Sequence, residues 1–367
     1  MRILHLAYED PRRPGSGGGG VRTWELTRRL ACLHDITVVV ASYPGARERH
    51  EGGARWVPLG SARGMHRGTL SYFALLPRAI RRFPHDLLVE DFGAPFSTGM
   101  SPLYTRRPVV ASVQWMFARE MTRKYRLPFH LVEHTGLRLY DRFIVVSDWL
   151  RDEVLRRRPA ADVRLVPNGV DAEAAGRLPA AGAGYVLYLG RLDLPNKGLD
   201  LLVEAFRSIA ARSPLRLVVA GDGPDRPALE RALARGGVAD RAELRGRVGA
   251  DEKYGLLARA DAVLVPSRYE TFGMVAVEAA AAGAPVVAFD IGPMRELVGP
   301  VATGRLVPPF DAGALAEAAL AYAARPAGDP ARMAAVRERF SWDAVAEAQD
   351  ACYRAAVGGG VPVGVGA

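Results

Sequence analysis

The chain has 367 residues, which at roughly 150 residues per domain gives about two domains, each able to bury a core without disulfides or a structural metal. Hydrophobic residues make up 49% and charged residues 24%, a balance that excludes a disordered chain. The net charge of +9 invites a nucleic acid or an anionic membrane, but only Lys124, Lys197 and Lys253 are lysines. The other 46 of the 49 basic residues are arginines spread along the whole length, and no helix-turn-helix, RNA-recognition or zinc pattern accompanies them.

Short aliphatic runs alternate with longer amphipathic ones, the pattern of parallel sheets covered by helices. In the first half strands are expected at Ile3 to Ala7, Ile36 to Ala41, Leu87 to Glu90, Val109 to Val113, Arg142 to Val146 and Val163 to Val166. The clearest helix is Val21 to Leu33, where Trp24, Leu26, Leu30 and Leu33 approximate one face while Arg22, Arg28 and Arg29 can stay wet. Residues 172–184, rich in Ala and Gly, read as a linker between a first domain over 1–171 and a second over 185–342. In that second domain strands are expected at Tyr185 to Leu189, Leu215 to Ala220, Ala242 to Leu244, Ala262 to Val265 and Pro285 to Phe289. They are separated by helices at Leu199 to Ala211, Pro227 to Arg235, Asp251 to Ala258 and Met274 to Ala282. A last helix is expected over 343–357, and the Gly-rich tail 358–367 is expected to fray. The architecture is therefore α/β, two doubly wound domains in series, with ligands expected beyond the carboxyl ends of the strands and in a cleft between domains.

Cys32 and Cys352 lie far apart and outside any Cys/His cluster, so neither a zinc site nor a disulfide framework is expected. The run Ile3 to Tyr8 is too short for a signal-peptide core, and Met274 to Phe289 is interrupted by Glu278, Gly283 and Pro285; a cytoplasmic protein is expected.

Gly15 to Gly20 satisfies G-x-G-x-x-G between a strand and a helix. The glycines begin eight residues beyond Ala7, however, and the next strand ends at Ala41-Ser42-Tyr43 without a carboxylate for a ribose, so a nicotinamide cofactor is not expected. The loop is either a flexible surface segment or a set of amides at a helix start suited to a diphosphate. In the second half, Gly190-Arg191-Leu192 and Asn196-Lys197-Gly198 place two cations in one strand-to-helix loop, a planar fork and a point charge able to meet one anion. Gly221-Asp-Gly-Pro224 is a tight turn, and the backbone around Val248 could meet a flat base. The most informative stretch runs from Pro266 to Glu278. Glu270 lies in its loop, Glu278 lies in an otherwise apolar helix, and the amides of Phe272, Gly273 and Met274 fall between them. A carboxylate on such a helix is costly unless a polar partner meets it, and a ribose diol is one such partner.

The pair Glu270 and Glu278 with Phe272-Gly273 between, together with Arg191, Lys197, Val166-Pro-Asn-Gly-Val-Asp171, Gly221-Asp-Gly-Pro224, Gly19-Gly20 and Val146-Ser147, resembles the retaining GT-B glycosyltransferases of family GT4. The resemblance spans nearly the whole chain and implies a GT-B fold, two Rossmann-like domains facing a cleft, with the last helix crossing back to the first. It implies that Arg191 and Lys197 hold the donor diphosphate, Glu278 the ribose hydroxyls and Val248 the base. Glu270, with Thr271 and the amides of Phe272, Gly273 and Met274, would hold the transferred sugar. Gly19 and Gly20 would complete the donor site from the first domain. Many members of that family carry a His after the strand equivalent to Val109 to Val113; here Ser112-Val-Gln114-Trp115 stands there, and Gln114 could supply a neutral hydrogen bond instead.

The resemblance further implies retaining transfer of a hexose from a nucleoside diphosphate sugar, UDP-sugar favoured over GDP-sugar, by front-face displacement. No Asp-x-Asp pair is present for a metal-diphosphate clamp, so no metal and no other cofactor is expected. For the acceptor, Glu90 and Asp91 with Trp115 and Glu120 suggest a cationic aminocyclitol or another small secondary metabolite, as in antibiotic biosynthesis, although Glu90 paired to an arginine fits equally. A lipid or polysaccharide acceptor is the alternative, with Arg78, Arg81 and Arg82 near Tyr72 and Phe73 giving weak peripheral contact with a membrane surface. A sugar-nucleotide epimerase would share the fold, but no acid/base pair stands out for it.

Overall fold

The alternating pattern folds into two units, Met1–Asn168 together with the chain from Trp342 onward, and Gly169–Ser341. The structure, a computed structural model, describes residues 1–358 apart from 14, 93–97, 117, 119–121, 123–125, 127, 177–182 and 324–327, and the backbone alone of Met65.

In the first unit the chain runs β1 (Arg2–Leu6), α1 (Gly18–Leu30), β2 (Asp35–Ala41), β3 (Arg49–Glu51), β4 (Ala54–Leu59), α2 (Met65–Arg82), β5 (Leu87–Phe92), β6 (Val109–Val113), α3 (Phe129–Leu137), β7 (Arg142–Val145), α4 (Asp148–Arg157) and β8 (Asp162–Leu165). The strands make one sheet in the order β3-β4-β2-β1-β5-β6-β7-β8, parallel except for the β3–β4 hairpin. Ile3 of β1 lies beside Ile36 of β2 on one side and Leu87 of β5 on the other. Because helices cover parallel sheets on both faces, successive residues are all buried, as Val38, Val39 and Val40 are, and the strands read as unbroken apolar runs.

The second unit runs β9 (Tyr185–Leu189), α5 (Leu194–Lys197), α6 (Leu199–Arg212), β10 (Arg216–Ala220), α7 (Arg226–Arg235), β11 (Ala242–Gly246), α8 (Ala250–Arg259), β12 (Ala262–Val265), α9 (Met274–Ala282), β13 (Val286–Phe289), α10 (Met294–Leu297), β14 (Gly304–Val307), α11 (Ala312–Tyr322) and α12 (Pro330–Arg339). Its sheet is wholly parallel, in the order β11-β10-β9-β12-β13-β14. Phe206 and Ile209 of α6 and Leu315 of α11 are buried in the same core as Val186, Leu217 and Leu264 of the strands. The last helix, α13 (Trp342–Gly358), belongs to the first unit, where Trp342, Val345 and Tyr353 share a core with Leu26 and Leu30 of α1.

The chain leaves the first unit earlier than 171. Val170 pairs with Ser341 and donates its N–H to the Phe340 carbonyl at 2.7 Å, which ties this segment into the second unit. Part of the expected linker is likewise folded: Ala174–Gly176 forms a short 3-10 turn with Ala174 and Ala175 buried. Residues 177–182 lie outside the described residues.

Two readings of α1 need correction. Leu33 lies beyond its end and is 53% exposed, and Arg22, expected to stay wet, is 1% exposed. Its guanidinium donates to the carbonyls of Pro167 (2.6 Å) and Val166 (3.2 Å), to Asn168 Oδ1 (2.9 Å) and to Gln349 Oε1 (3.0 Å). It thereby joins α1, the end of the 1–168 segment and α13 within one unit. Arg22→Ala would leave four acceptors unpaired and a cavity, so we expect a loss of about 3 kcal/mol or more. Arg28, exposed on the same helix, serves as control and should change stability by less than about 0.5 kcal/mol when replaced by Ala. All five tryptophans lie in the first unit, so urea unfolding followed by tryptophan emission reads the effect there.

Candidate functional site

In an open α/β sheet ligands gather where the strand order reverses, beyond the carboxyl ends of the two strands involved. In the second unit that point lies between β9 and β12. The loops leaving those strands are 190–193 and 266–273, and they carry Arg191 and Glu270, with Lys197 closing the short helix α5 that follows the first loop.

The two loops interlock through the backbone. The Arg268 N–H donates to the Asn196 carbonyl at 2.8 Å. The Arg268 side chain grips Asp200 at the start of α6 with two bonds of 2.8 and 2.6 Å, and these hydrogen bonds hold the Asp200 carboxyl below its ordinary range. Gly198 sits at φ +62, and a Cβ there would fall 2.0 Å from the Pro266 carbonyl oxygen, so only glycine allows this approach. The result is the Lys197–Glu270 ion pair, with Ser267 donating its hydroxyl to Glu270 Oε1 at 2.8 Å. Arg191 is exposed, while its carbonyl accepts from the buried Tyr188 hydroxyl at 2.9 Å.

After Glu270 the chain enters α9. Gly273 is its N-cap at φ +93, and no side-chain cap satisfies the first amides of the helix. The Phe272 ring is buried against Phe340 at 6.4 Å between centroids, so its side chain fixes the loop and only its backbone remains for a ligand. Thr271 is half-buried in the same loop. Glu278 is 8% exposed on this helix, and the polar partner that its burial demands is already present: Lys253 of α8 reaches its Oε1 at 2.7 Å. Lys253 also lies 4.7 Å from the centroid of the Tyr254 ring. Sequence reasoning missed Lys253, Ser267 and Arg268; the rarity of lysine was the signal for the first.

Val248 is half-buried in the loop between β11 and α8. Beside this loop a cavity of about 520 Å³ is lined by Asp171, Glu173, Asp251 and Glu252. Four carboxylates repel a phosphate, so this cavity does not suit an anion.

In the first unit Gly19 and Gln114 come together: a Cβ on Gly19 would lie 3.8 Å from Gln114 Oε1 and 3.1 Å from Glu9 Oε2. Glu9 was not singled out in the sequence. Its carboxylate accepts from the Gly20 N–H at 3.0 Å, so an acid already occupies the start of α1 where a diphosphate was expected to lie.

The expected acceptor residues are redistributed. Glu90 is 3% exposed and saturated: it accepts from Thr98 Oγ1 (2.9 Å), the Tyr140 hydroxyl (2.6 Å), the Ser101 N–H (3.3 Å) and the Gly99 N–H. All of these partners lie within the chain, so its oxygens are already occupied. Asp91 is shared between Thr23 Oγ1 (3.2 Å) and His5 Nε2 (3.0 Å). Trp115 is half-buried after β6, and Glu120 lies outside the described residues. The aromatic residues proposed beside Arg78, Arg81 and Arg82 turn inward: Tyr72 is buried and Phe73 stacks on Tyr8 at 6.2 Å. No described helix is long and apolar enough to cross a membrane.

Residues 183–325 match the sequence model of a family described as Glycosyl transferases group 1, and residues 16–174 match one described as Glycosyltransferase Family 4. The chain belongs to the family 4 glycosyltransferases. This family member is 35% identical to a glycogen synthase of Mycobacterium tuberculosis over 62% of its own length and 57% of the relative's. It thus spans little more than half the length of that curated relative. Among solved structures, sucrose-phosphate synthase of Thermosynechococcus elongatus has a TM-score of 0.82 over 98% of this chain and 100% of that one, at 23% identity. The Anabaena protein HepE, solved with UDP and glucose, has a TM-score of 0.70 over 95% and 98% at 18% identity. Both likenesses establish a common GT-B fold.

The Lys253–Glu278 pair is testable by a double-mutant cycle. Lys253→Met leaves a buried carboxylate unpaired and should cost about 1–3 kcal/mol, whereas Lys253→Met with Glu278→Met together should recover most of that loss in a far-UV circular dichroism melt.

Proposed function

We propose that this chain is a retaining, metal-independent hexosyltransferase that moves a sugar from a nucleoside diphosphate sugar, a UDP-sugar in preference to a GDP-sugar, to an acceptor hydroxyl. The observation that carries this reading is the Lys197–Glu270 pair at the strand switch point, where one of the two loops also carries Arg191 and the other leads into the uncapped start of α9, in a member of this family. The preference for UDP is supported by HepE, which was solved with that nucleotide.

In this reading Arg191 and Lys197 meet the diphosphate. Glu270, Thr271 and the amides of Phe272, Gly273 and Met274 orient the sugar, Glu278 takes the ribose hydroxyls and the Val248 backbone takes the base. The bond from the anomeric carbon to the diphosphate oxygen breaks as the acceptor hydroxyl attacks on the same face, and the hydroxyl proton passes to the departing phosphate oxygen. Charge builds on the leaving group, so the groups that lower the barrier are donors aimed at that oxygen; Lys197 and Arg191 are the cations available for it. Without an Asp-x-Asp pair to recruit a metal, these cations and the amides carry that charge themselves.

Lys197→Ala or Arg191→Ala should therefore lower turnover by about 10²-fold, the scale of losing one oxyanion donor. A loss under tenfold would assign the residue to structure alone. Excess EDTA should leave turnover unchanged; activity lost to EDTA and restored by manganese would overturn metal independence. Proton NMR of the first product formed decides retention of configuration.

A further inference from the structure

The first unit holds a cavity of about 320 Å³ beyond the carboxyl ends of β1, β2 and β4 that none of the residues discussed above explains. Tyr8, Arg13, Ser42, Tyr43 and Thr69 line it, and Gly64 and Gly68 bring the start of α2 into its wall. That helix start has no side-chain cap and no acidic residue in its first turn.

The charge of the cavity is set by what Asp10 does. Asp10 is fully buried and accepts from both terminal nitrogens of Arg49 at 2.8 Å each, from the Arg12 N–H at 2.9 Å and from the Tyr43 hydroxyl at 3.3 Å. Arg12 in turn pairs with Glu51. The local carboxylates are thus spent on other cations, and the Arg13 guanidinium meets no carboxylate among the described residues; it is the one charged side chain in the lining. The remaining groups suit a hydroxylated ring: the Tyr8 hydroxyl, 2.6 Å from Thr69 Oγ1, the Ser42 hydroxyl, and the Tyr43 hydroxyl oxygen, which can still accept while its proton goes to Asp10. The volume lies at the small end of ligand sites, which run from ~300 to 1,000 Å³, and so admits one ring instead of a glycan chain.

We propose that this cavity is the acceptor subsite and that the acceptor is a single polyol or sugar ring bearing a phosphate ester, the phosphate held by Arg13 and the ring by Tyr8, Tyr43 and Thr69. This rests on the transferase reading. It replaces the cationic acceptor expected from Glu90 and Asp91 with an anionic one.

The test is isothermal titration of the full chain with myo-inositol 1-phosphate and glucose 6-phosphate against unphosphorylated myo-inositol and glucose, with UDP titrated separately into each preparation. Wild type should favour a phosphorylated ring by about tenfold or more, the value of one charge-assisted contact, and Arg13→Gln should abolish that preference while its circular dichroism melt stays that of wild type. Arg13→Glu should turn the preference toward 2-deoxystreptamine, an aminocyclitol. Binding of phosphatidylinositol in phosphatidylcholine vesicles without binding of the soluble ester, lost in Arg13→Gln, would identify the same headgroup chemistry in its lipid-borne form. A chain that binds UDP yet treats phosphorylated and plain rings alike, or whose preference survives Arg13→Gln, overturns the proposal. A chain that binds the polyol phosphate but neither UDP nor GDP overturns the transferase reading and leaves the subsite standing.

Discussion

A buried arginine without a carboxylate partner organises the first unit. Arg22 is surrounded by two carbonyls, an asparagine oxygen and a glutamine oxygen, and burial pushes its guanidinium down to about 10. Holding a cation away from water is costly, and the arrangement survives because the planar fork satisfies acceptors from three parts of the chain at once. Those parts are α1, the 166–168 segment through which the chain departs, and α13, with which it comes back. A lysine, with its charge on a single nitrogen, could not span the same set. The sheet and its helices supply the bulk of the apolar burial, but it is this polar junction that fixes where the first unit ends and where its last helix docks.

The second unit manages its charges by pairing instead. Two of the three lysines in the chain neutralise the two glutamates that flank the start of α9, Lys197 with Glu270 and Lys253 with Glu278. Each glutamate is thus held in a defined place by a partner from a different element, one from α5 and one from α8. Arg268 and Gly198 then lock the loops that carry the first pair. The two loops are thus held in place by contacts within the unit.

The sequence conveyed the second unit from β9 to β13 almost element by element, because buried parallel strands read as continuous apolar runs and each is followed by a helix. It conveyed the stretch from 49 to 82 poorly. There β3 is three polar residues at the sheet edge, β4 contains Pro58 and α2 contains Pro77, so neither period survives. Residues 294–339, with two four-residue elements among longer helices, gave no clear rhythm either. Side-chain roles were legible where the partner is close in sequence, as with Glu270 beside Ser267. They were hidden where the partner is remote: the helical period of α1 cannot show that Arg22 meets carbonyls 144 and 145 positions away, nor that Glu90 meets Tyr140 across 50.

Glu9 gives the glycine loop a property that neither a bare helix start nor a phosphate loop has. The Gly20 amide is engaged by a carboxylate from the same chain, tethered eleven residues away and so present at a high effective concentration. Any anion drawn to this helix end competes with a resident one. A small free anion such as inorganic phosphate has nothing else to offer and is outbid, whereas a ligand anchored by contacts elsewhere brings its own tether. An anion bound at this helix end would therefore be selected by its attachment as well as by its charge.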